Sequence, residues 1–596
     1  MKLTRWGTTS DNCSANTFAS TLELVNNGTG GFYMGDATGD VYAGDITISN
    51  TSTGTIRWGN GGGLNTLPSG LSISIGSGGF DAGTLLFRGF TQLGTTPFAL
   101  VLGSNAQFNI RPACTFDAPM DVSAGEIYLE GSTFNNTVLF TKTGTGTNGS
   151  GGGNTFNGTL ELVNTTSGHF MMAETFVDFY NDDVLVNNLS TGTIRFNNSG
   201  ASGAVLAAGH TVMVGAQGFP SGALRFRNFD QLGNAPVNLP LGPTASLFFL
   251  PGCEFGGDVV ATCGSLLLNG STFSGTGNFT KNDNSGNMSD GGCVFQGTVE
   301  FTNNGSGYIG LDNVLPDQFN GDIILNNTTN GSIYFGNATG SATLAAGRVI
   351  TVGSGGFDAG LLQLRNFTQL GSTPQTLTLG NAANLTFQSG TTFNGDIVTT
   401  SGRLHFVGAT FNGTATFTKT NGQGDSSYGG NTFNGRTEFN VTGTGHLSLT
   451  QYVGTDLFNE DLVLNSTLTG QISFGISGGT AILADGKTVS VGSLGFDAGY
   501  LLFRNFTQVG PTPQSLVLGT LARLDFGSGN TFNGDITSTS GRLFFQGTTF
   551  NGNGRFTKTG SSGDGSVGNN VFNGQAEFTI TSTGHLALHQ NAPDVF

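Results

Sequence analysis

Charged residues are scarce in this chain: only 10% of its 596 residues are Asp, Glu, Lys or Arg. Lys and Arg number 21 against 38 Asp and Glu, so the formal net charge is −17. Nucleic-acid binding requires clustered basic residues, and this balance argues against it. The sequence also has no run of 18 apolar residues, so we predict no membrane insertion in this segment.

Cysteine is equally sparse, with five residues and no C-x-x-C spacing, which argues against a zinc site. The odd number does not indicate a disulfide framework. We predict that the cysteines act as small buried apolar residues, although Cys253 and Cys263 are close enough in sequence to pair locally.

Glycine and phenylalanine are abundant, with 100 and 50 residues, whereas proline contributes only 14. Disordered chains are poor in aromatic residues and rich in charge, so this composition favours an ordered and mostly β structure. A five-residue kernel recurs along the chain, in its clearest form as Asn530-Thr531-Phe532-Asn533-Gly534. The kernel reads as a strand that ends in a turn, with a glycine free to adopt positive φ.

A long repeat organises the whole sequence. The lysine of a Phe-Thr-Lys step recurs at 142, 281, 419 and 558, at intervals of 139, 138 and 139 residues. We therefore predict four tandem modules, residues 18–155, 156–294, 295–432 and 433–571. Residues 1–17 and 572–596 read as parts of further modules, so we expect the chain to be a piece of a longer array.

A shorter period lies inside each module. In the first module its aromatic positions are separated by 24, 38, 36, 18 and 22 residues, and the other modules repeat these steps closely. Steps near 37 are about twice 18, which suggests a coil that begins without an aromatic residue. We predict about seven coils of roughly 20 residues per module. The predicted ladder comprises Phe18, Tyr42, Phe80, Phe116, Phe134, Phe156, Phe295, Phe393, Phe411, Phe433, Phe532, Phe550 and Phe572, with Phe219, Phe357 and Phe496 at the position of Phe80.

Each coil contains short runs rich in Thr, Ile, Val and Phe between Gly, Asn and Ser, and these runs are typical of strands. We find no helical periodicity. The sequence thus predicts an all-β fold, a parallel β-helix or β-solenoid, with Phe stacked in the core, Asn in an amide ladder and Gly at the corner. Four tandem β-sandwich domains are the rival fold, but sandwiches do not need aromatic residues in fixed phase.

Several charged positions recur with the modules. The Lys142 series is predicted to lie on a solvated face. His169, His446 and His585 share one phase but are replaced in the other modules, which favours stacking or surface roles over catalysis.

Asp81, Asp358 and Asp497 lie seven residues before Arg88, Arg365 and Arg504, whereas the second module has Asp230 beside Arg227. We predict a structural Arg–carboxylate pair at each position.

Candidate sites for chemistry are weak. The turn from Asp283 to Asp290 places oxygen ligands at calcium-like spacing, but its counterparts have few or no carboxylates, which favours a polar loop. Thr-rich strands could suggest ice binding, but the sequence lacks a Thr-x-Thr motif that repeats regularly from coil to coil. Pectin-lyase-like enzymes also use parallel β-helices, yet they need a cleft with clustered acids and bases that this sequence does not show. We predict no enzyme and no cofactor.

The repeats resemble a known group of proteins. Asn-Thr-Phe-Asn-Gly, Thr-Leu-Ala-Ala-Gly (343–347), Phe-Thr-Gln-Leu-Gly-Ser-Thr-Pro-Gln-Thr-Leu (367–377) and Phe-Asn-Gly-Thr-Ala-Thr-Phe-Thr-Lys-Thr (411–420) resemble the giant Phe-Asn-Gly repeat proteins of Bacteroidetes. The arrangement of short repeats into successive coils is also similar to that of filamentous-haemagglutinin and autotransporter passenger repeats. The resemblance covers essentially the whole chain. It implies secreted cell-surface proteins, exported by the type IX route, that act as adhesins or surface fibres.

The function predicted from the sequence is mechanical: an extracellular stalk or filament that adheres or self-associates. The alternative is a carbohydrate-binding surface that uses aromatic residues exposed in the longer coils, such as Tyr33 or Tyr308. The expected partners are copies of the chain, surface glycans or other cells.

Overall fold

A computed structural model of the chain describes residues 1–60, 62–200 and 202–596. All regular elements in these residues are strands, and the strand pairs are parallel. Among the same residues, no helix is long and apolar enough to cross a membrane. The predicted all-β solenoid is confirmed, with about 25 turns spaced roughly 23 residues apart. Parallel pairing between successive coils excludes the rival β-sandwiches, which are antiparallel.

The chain forms two compact units. The first comprises Met1–Asp283 with Cys293–Gly297, and the second comprises Asn284–Gly292 with Thr298–Phe596. In both units a coil has three strands, and most strands pair with their equivalent in the next coil. The first-strand sheet is interrupted after Ile73–Phe80, and the second-strand sheet is interrupted after Glu126–Leu129. The four predicted modules stay a prediction from the sequence repeat.

Six consecutive coils of the first unit illustrate the pattern. Their first strands are Leu22–Asn26, Ile46–Asn50, Ile73–Phe80, Phe98–Val101, Met120–Ala124 and Val138–Lys142. Their second strands are Gly31–Met34, Thr55–Trp58, Ala82–Phe87, Asn105–Ile110, Glu126–Leu129 and Thr147–Gly149. Their third strands are Val41–Tyr42, Asn65–Leu67, Phe90–Gln92, Thr115–Phe116, Thr133–Phe134 and Thr155–Phe156.

The second unit repeats this arrangement. First strands of six consecutive coils are Thr437–Val441, Leu462–Ser466, Val489–Phe496, Gln514–Val517, Ile536–Ser540 and Gly554–Lys558. Second strands are His446–Leu449, Gln471–Phe474, Ala498–Phe503, Leu521–Phe526, Arg542–Phe545 and Asp564–Gly565. Third strands are Thr455–Phe458, Thr480–Leu483, Phe506–Gln508, Thr531–Phe532, Thr549–Phe550 and Val571–Phe572.

The core follows from strand alternation, because successive side chains of a strand point to opposite faces. In Val138–Lys142 the first, third and fifth side chains are buried and the other two are half-buried. The third strand contributes the Phe of the kernel. Its ring lies on the equivalent ring of the next coil, with centroids 4.8 Å apart for Phe134 and Phe156 and 5.3 Å apart for Phe411 and Phe433.

The number of coils per module differs from the prediction. Between Lys419 and Lys558 the first strands pair in six successive steps, so one module length holds six coils rather than seven. Tyr42 and Phe116 are therefore separated by three long coils, not by four short ones. Leu67 and Gln92 occupy the ladder position in the two coils between them.

Phe80 does not belong to this ladder. It ends the strand Ile73–Phe80, is 1% exposed, and lies opposite Asn50 of the preceding coil. Its equivalents Phe357 and Phe496 likewise end first strands, opposite Asn327 and Ser466. The sequence interpretation failed here because a buried Phe on a different strand has nearly the right spacing. Phe219, 2% exposed, lies between the strands Val212–Val214 and Ser221–Phe226 and is not on the ladder either. The other predicted ladder aromatics are buried in third strands, and their burial ranges from Phe134 at 0% exposed to Phe18 at 7%.

The asparagine that follows the Phe forms an amide ladder at the surface. Asn412 Nδ2 donates to Asn394 Oδ1 at 2.6 Å, and Asn434 Nδ2 donates to Asn412 Oδ1 at 2.6 Å. In the first unit Asn157 Nδ2 donates to Asn135 Oδ1 at 2.8 Å. Each amide thus links its coil to the preceding one.

The glycine of the kernel has a different role from the predicted one. Gly413 and its equivalents are not among the residues with positive φ. A Cβ added at Gly413 would instead lie 2.5 Å from the carbonyl carbon of Gly395 in the preceding coil. Glycine is therefore favoured here because stacked corners approach closely, and not because the turn needs left-handed backbone.

Candidate functional site

The densest charged groups in the described part of the chain are buried at one corner of the coil. Lys142, Lys281, Lys419 and Lys558 each end a first strand and are 0% exposed. The prediction of a solvated face for these lysines is wrong. Strand alternation places each one on the same inward face as the Phe two residues earlier.

Each lysine amine is bound by backbone carbonyl groups at the corner. Lys419 Nζ donates to Gly402 O at 3.1 Å, and Lys558 Nζ donates to Gly541 O at 3.1 Å and to Gly560 O at 2.7 Å. In the coil after Lys142 an asparagine takes the equivalent position, and Asn164 Nδ2 donates to Gly168 O at 3.0 Å. Lys142 and Asn164 thus form a buried column of donors to the corner carbonyls, whereas Val441 and Ile580 follow Lys419 and Lys558.

In the second unit a buried carboxylate accompanies the lysine. Asp425, 0% exposed, accepts from Arg403 Nε at 2.7 Å and from the Leu404 amide at 2.9 Å, and its Oδ2 lies 3.3 Å from Lys419 Nζ. We name Lys419, Asp425 and Arg403 the corner ion cluster.

The same cluster recurs six coils later. There Asp564 accepts from Arg542 Nε at 2.9 Å and from the Leu543 amide at 3.0 Å, and it lies 3.1 Å from Lys558 Nζ. In the first unit Lys281 Nζ lies 2.5 Å from Asp283 instead.

Burial lowers the pKa of the Lys419 amine, and the Asp425 carboxylate opposes this shift. Burial also lowers the pKa of Lys142, where the Glu126 carboxylate opposes it. The Asp425 carboxylate is shielded from solvent and is bound by two cations and one backbone amide. Such a saturated carboxylate holds adjacent coils together and is poorly placed for proton transfer to a substrate.

A second set of buried carboxylates lies at the start of third strands, in the case of Asp178 and Asp456, or shortly before one, in the case of Asp312. Asp178 accepts from the backbone amide and the side chain of Asn154 at 2.8 and 2.9 Å, and Asp456 binds Asn431 in the same way at 2.9 and 2.8 Å. Burial raises the pKa of Asp178 and of Asp456 to about 7. For Asp312, burial and the nearby charge of Asp317 raise the pKa to about 8.

The predicted Arg–Asp pairs are not formed among the described residues. Arg504 Nη1 donates to the Ile476 carbonyl at 3.2 Å, and Arg227 Nη1 donates to the Asn198 carbonyl at 3.0 Å. Arg365 binds the Asn337 carbonyl. For these three arginines the prediction failed because a loop carbonyl of the preceding coil is within reach of the guanidinium.

Apart from Asp283, the remaining predicted positions lie away from these clusters. His446 and His585 are exposed, and His169 is half-buried. Asp283 pairs with Lys281 and Asp290 is exposed. The interpretation of this turn as a polar loop, with calcium binding as the weaker alternative, stays a prediction.

All five cysteines are free. The possible local pair of Cys253 and Cys263 is therefore not formed. Both side chains are buried, and burial raises their pKa values to about 11 and about 12.

Exposed aromatic side chains form a second candidate site, this one for binding. Tyr428 and Tyr452 are 51% and 41% exposed, with ring centroids 4.9 Å apart. Tyr33 is less available, because the Arg57 guanidinium covers its ring at 3.6 Å. Tyr308 packs against Tyr334 at 5.2 Å. We name Tyr428 and Tyr452 the exposed tyrosine pair.

No protein-family model, curated protein or solved structure matches this chain.

Proposed function

We propose that this chain is a structural protein of the cell surface, a β-solenoid that serves as a stiff stalk or filament. In this role it adheres to other surfaces or assembles with further copies of itself. Its location outside the cell rests on the resemblance to the Phe-Asn-Gly repeat proteins.

The observation that supports this proposal best is the continuity of the core within each unit. Successive coils are bound by two or three parallel strand pairings, and in many coils also by stacked rings such as Phe433 on Phe458 at 4.9 Å and by the amide ladder. Interiors packed at this density resist deformation. Each coil adds a rise of about 4.8 Å, so the stack of coils within a unit grows along one direction.

A non-catalytic role is part of the proposal. The corner ion cluster has the most titratable groups, yet its carboxylate is shielded from solvent and fully bound. It also recurs six coils later with the same contacts, as expected of a building element repeated along a stack.

Immunogold electron microscopy of the producing cells tests the proposal, together with adhesion of a deletion strain. We expect label on thin surface fibres, and weaker adhesion or cell–cell aggregation after deletion. Label confined to the cytoplasm would contradict the surface location. Unaltered adhesion and aggregation would contradict the adhesive role.

The exposed tyrosine pair supports a second candidate function, carbohydrate binding. Tyrosine rings offer a flat apolar face for a sugar ring and a hydroxyl for hydrogen bonding. The exposed apolar residues Val453 and Leu457, at 67% and 36%, follow the pair in sequence.

Glycan-array binding by the intact chain and by Tyr452→Ala tests this candidate. Tyr33→Phe is the matched control, because the Tyr33 ring is covered by Arg57. Binding lost only in Tyr452→Ala would support a glycan site at the pair. Equal binding by both variants would exclude the pair as the site.

A further inference from the structure

Two carboxylates and an imidazole meet at one corner of the first unit. Asp182 and Asp183 form the turn before the strand Val184–Asn188, and His210 lies in the turn before the strand Val212–Val214 of the next coil. His210 Nδ1 is 3.3 Å from Asp182 Oδ1 and 3.5 Å from Asp183 Oδ1. The three side chains are about one-third exposed, so ions in solvent can reach them.

The structure holds these ligand atoms in place. Asp182 Oδ1 accepts from the Asp183 amide at 2.7 Å, and Asp183 Oδ1 accepts from the Thr211 amide at 2.9 Å. The His210 amide bonds the Ala207 carbonyl at 3.3 Å, which fixes the turn that carries the imidazole. Outer hydrogen bonds of this kind orient the ligands of a metal centre.

The separations fit a metal ion better than a direct ion pair. A charge-assisted N–H···O bond closes to roughly 2.7–2.9 Å. At the equivalent corner of the second unit Lys487 and Glu460 close to 2.6 Å. Around His210 the atoms stay 3.3 and 3.5 Å apart. Ligand atoms bound to one tetrahedral ion at about 2.0–2.1 Å are roughly 3.4 Å from each other.

We propose that Asp182, Asp183 and His210 form a binding site for a divalent transition-metal ion of the zinc class. The mixed set of one imidazole nitrogen and two carboxylates suits zinc and its transition-metal neighbours, whereas calcium prefers oxygen ligands alone. The two carboxylates balance the charge of the ion. The bound ion joins two successive coils at their turns.

Other modules show which residues are specific to this site. Asp45, Asp322 and Asp461 bind the next coil's amide as Asp183 does, at 2.8, 3.0 and 2.8 Å, so this carboxylate is structural everywhere. The position of His210 is occupied by Leu71, Arg348 and Lys487. Only the second module combines a histidine there with an acidic residue at position 182.

Isothermal titration of the untagged full chain with zinc chloride tests the proposal, with calcium chloride as the comparison ion. We expect one equivalent of zinc to bind, and at least tenfold weaker calcium binding. His210→Arg introduces the residue found at position 348, so the fold tolerates it, and we expect this variant to lose that equivalent. Zinc binding that is absent, or unchanged in His210→Arg, would overturn the proposal.

A gain-of-site variant provides an independent test that does not depend on loss of function. Lys487→His places an imidazole beside Glu460 and Asp461, the second-unit counterparts of Asp182 and Asp183. We expect this variant to bind a second equivalent of zinc. Circular dichroism checks that its fold is kept. A correctly folded variant that still binds one equivalent would contradict the claim that these three ligand types suffice.

Discussion

At the scale of single residues, buried charges are placed by alternation along strands rather than by hydrophobicity. Phe417 and Lys419 are two residues apart on one strand, so both side chains enter the core, where corner carbonyls and Asp425 bind the amine. Breaking a buried ion pair leaves an uncompensated charge and is costly, whereas an exposed pair contributes little.

We therefore expect Lys419→Met to lower the free energy of unfolding by about 3 kcal/mol. The matched control Lys487→Met removes the half-exposed pair with Glu460 and should cost less than about 1 kcal/mol. Urea unfolding followed by circular dichroism measures both variants. Equal losses would contradict the assigned role of the corner ion cluster.

The buried aspartates predict how stability depends on pH. Folding raises the pKa of Asp178 and Asp456 to about 7 and that of Asp312 to about 8, whereas an unfolded carboxyl titrates near ~3.9. The folded state therefore binds these protons more tightly. The stability that they contribute is fully present below about pH 4 and is lost as the pH rises through about 7 to 8.

We expect the unfolding temperature to fall between pH 5 and pH 8, and to fall less in Asp312→Asn, which mimics the protonated side chain at every pH. Differential scanning calorimetry at both pH values measures the difference. Asp121→Asn, at an exposed carboxylate, is the control and should behave as the parent chain. If Asp312→Asn shows the parent's full pH dependence, the carboxyl at 312 is not protonated in the fold.

At the scale of the strand and turn, the kernel places its Phe in the core and its Asn at the surface. The Phe411 ring is 1% exposed and stacks on Phe433, whereas the Asn412 amide bonds Asn394 and Asn434 at the surface. Loss of a buried ring leaves a cavity, whereas water replaces an exposed hydrogen bond.

Phe411→Ala should therefore lower the free energy of unfolding by about 4 kcal/mol, and Asn412→Ala by about 1 kcal/mol. Urea unfolding of both single variants gives the comparison. A larger effect for Asn412→Ala than for Phe411→Ala would mean that the amide ladder, and not the aromatic core, holds the coils together.

The periodic kernel was enough to predict the fold, the buried Phe and the amide ladder, because all three follow from residues that repeat in phase. The kernel was not enough to predict the number of coils, because Leu67 and Gln92 replace the aromatic residue in two coils. Phe80, a buried Phe on a different strand, has a spacing that suggested an extra coil. The burial of Lys142 and its equivalents could have been predicted from strand alternation. The prediction of a solvated face followed instead from the charge of lysine.

The proposed metal site is harder to see in the sequence. Asp182 and His210 are 28 residues apart, and only the register between adjacent coils brings them together. The guanidinium contacts with loop carbonyls escaped prediction for the same reason, since backbone acceptors carry no sequence signal.

At the scale of the whole molecule, both units use one rule: a coil of three strands, stacked in register on the coil before it. This rule gives six coils for each length of about 139 residues, and hence a rise of roughly 29 Å per module within a unit. Seven coils would give roughly 34 Å.

A cryo-electron microscopy map of the chain that resolves the second unit tests this account most directly, through the separation between Lys419 and Lys558. The account predicts six coils and roughly 29 Å between the two amines, both enclosed in the core. Seven coils at roughly 34 Å, antiparallel sheets, or lysines that point into solvent would contradict it.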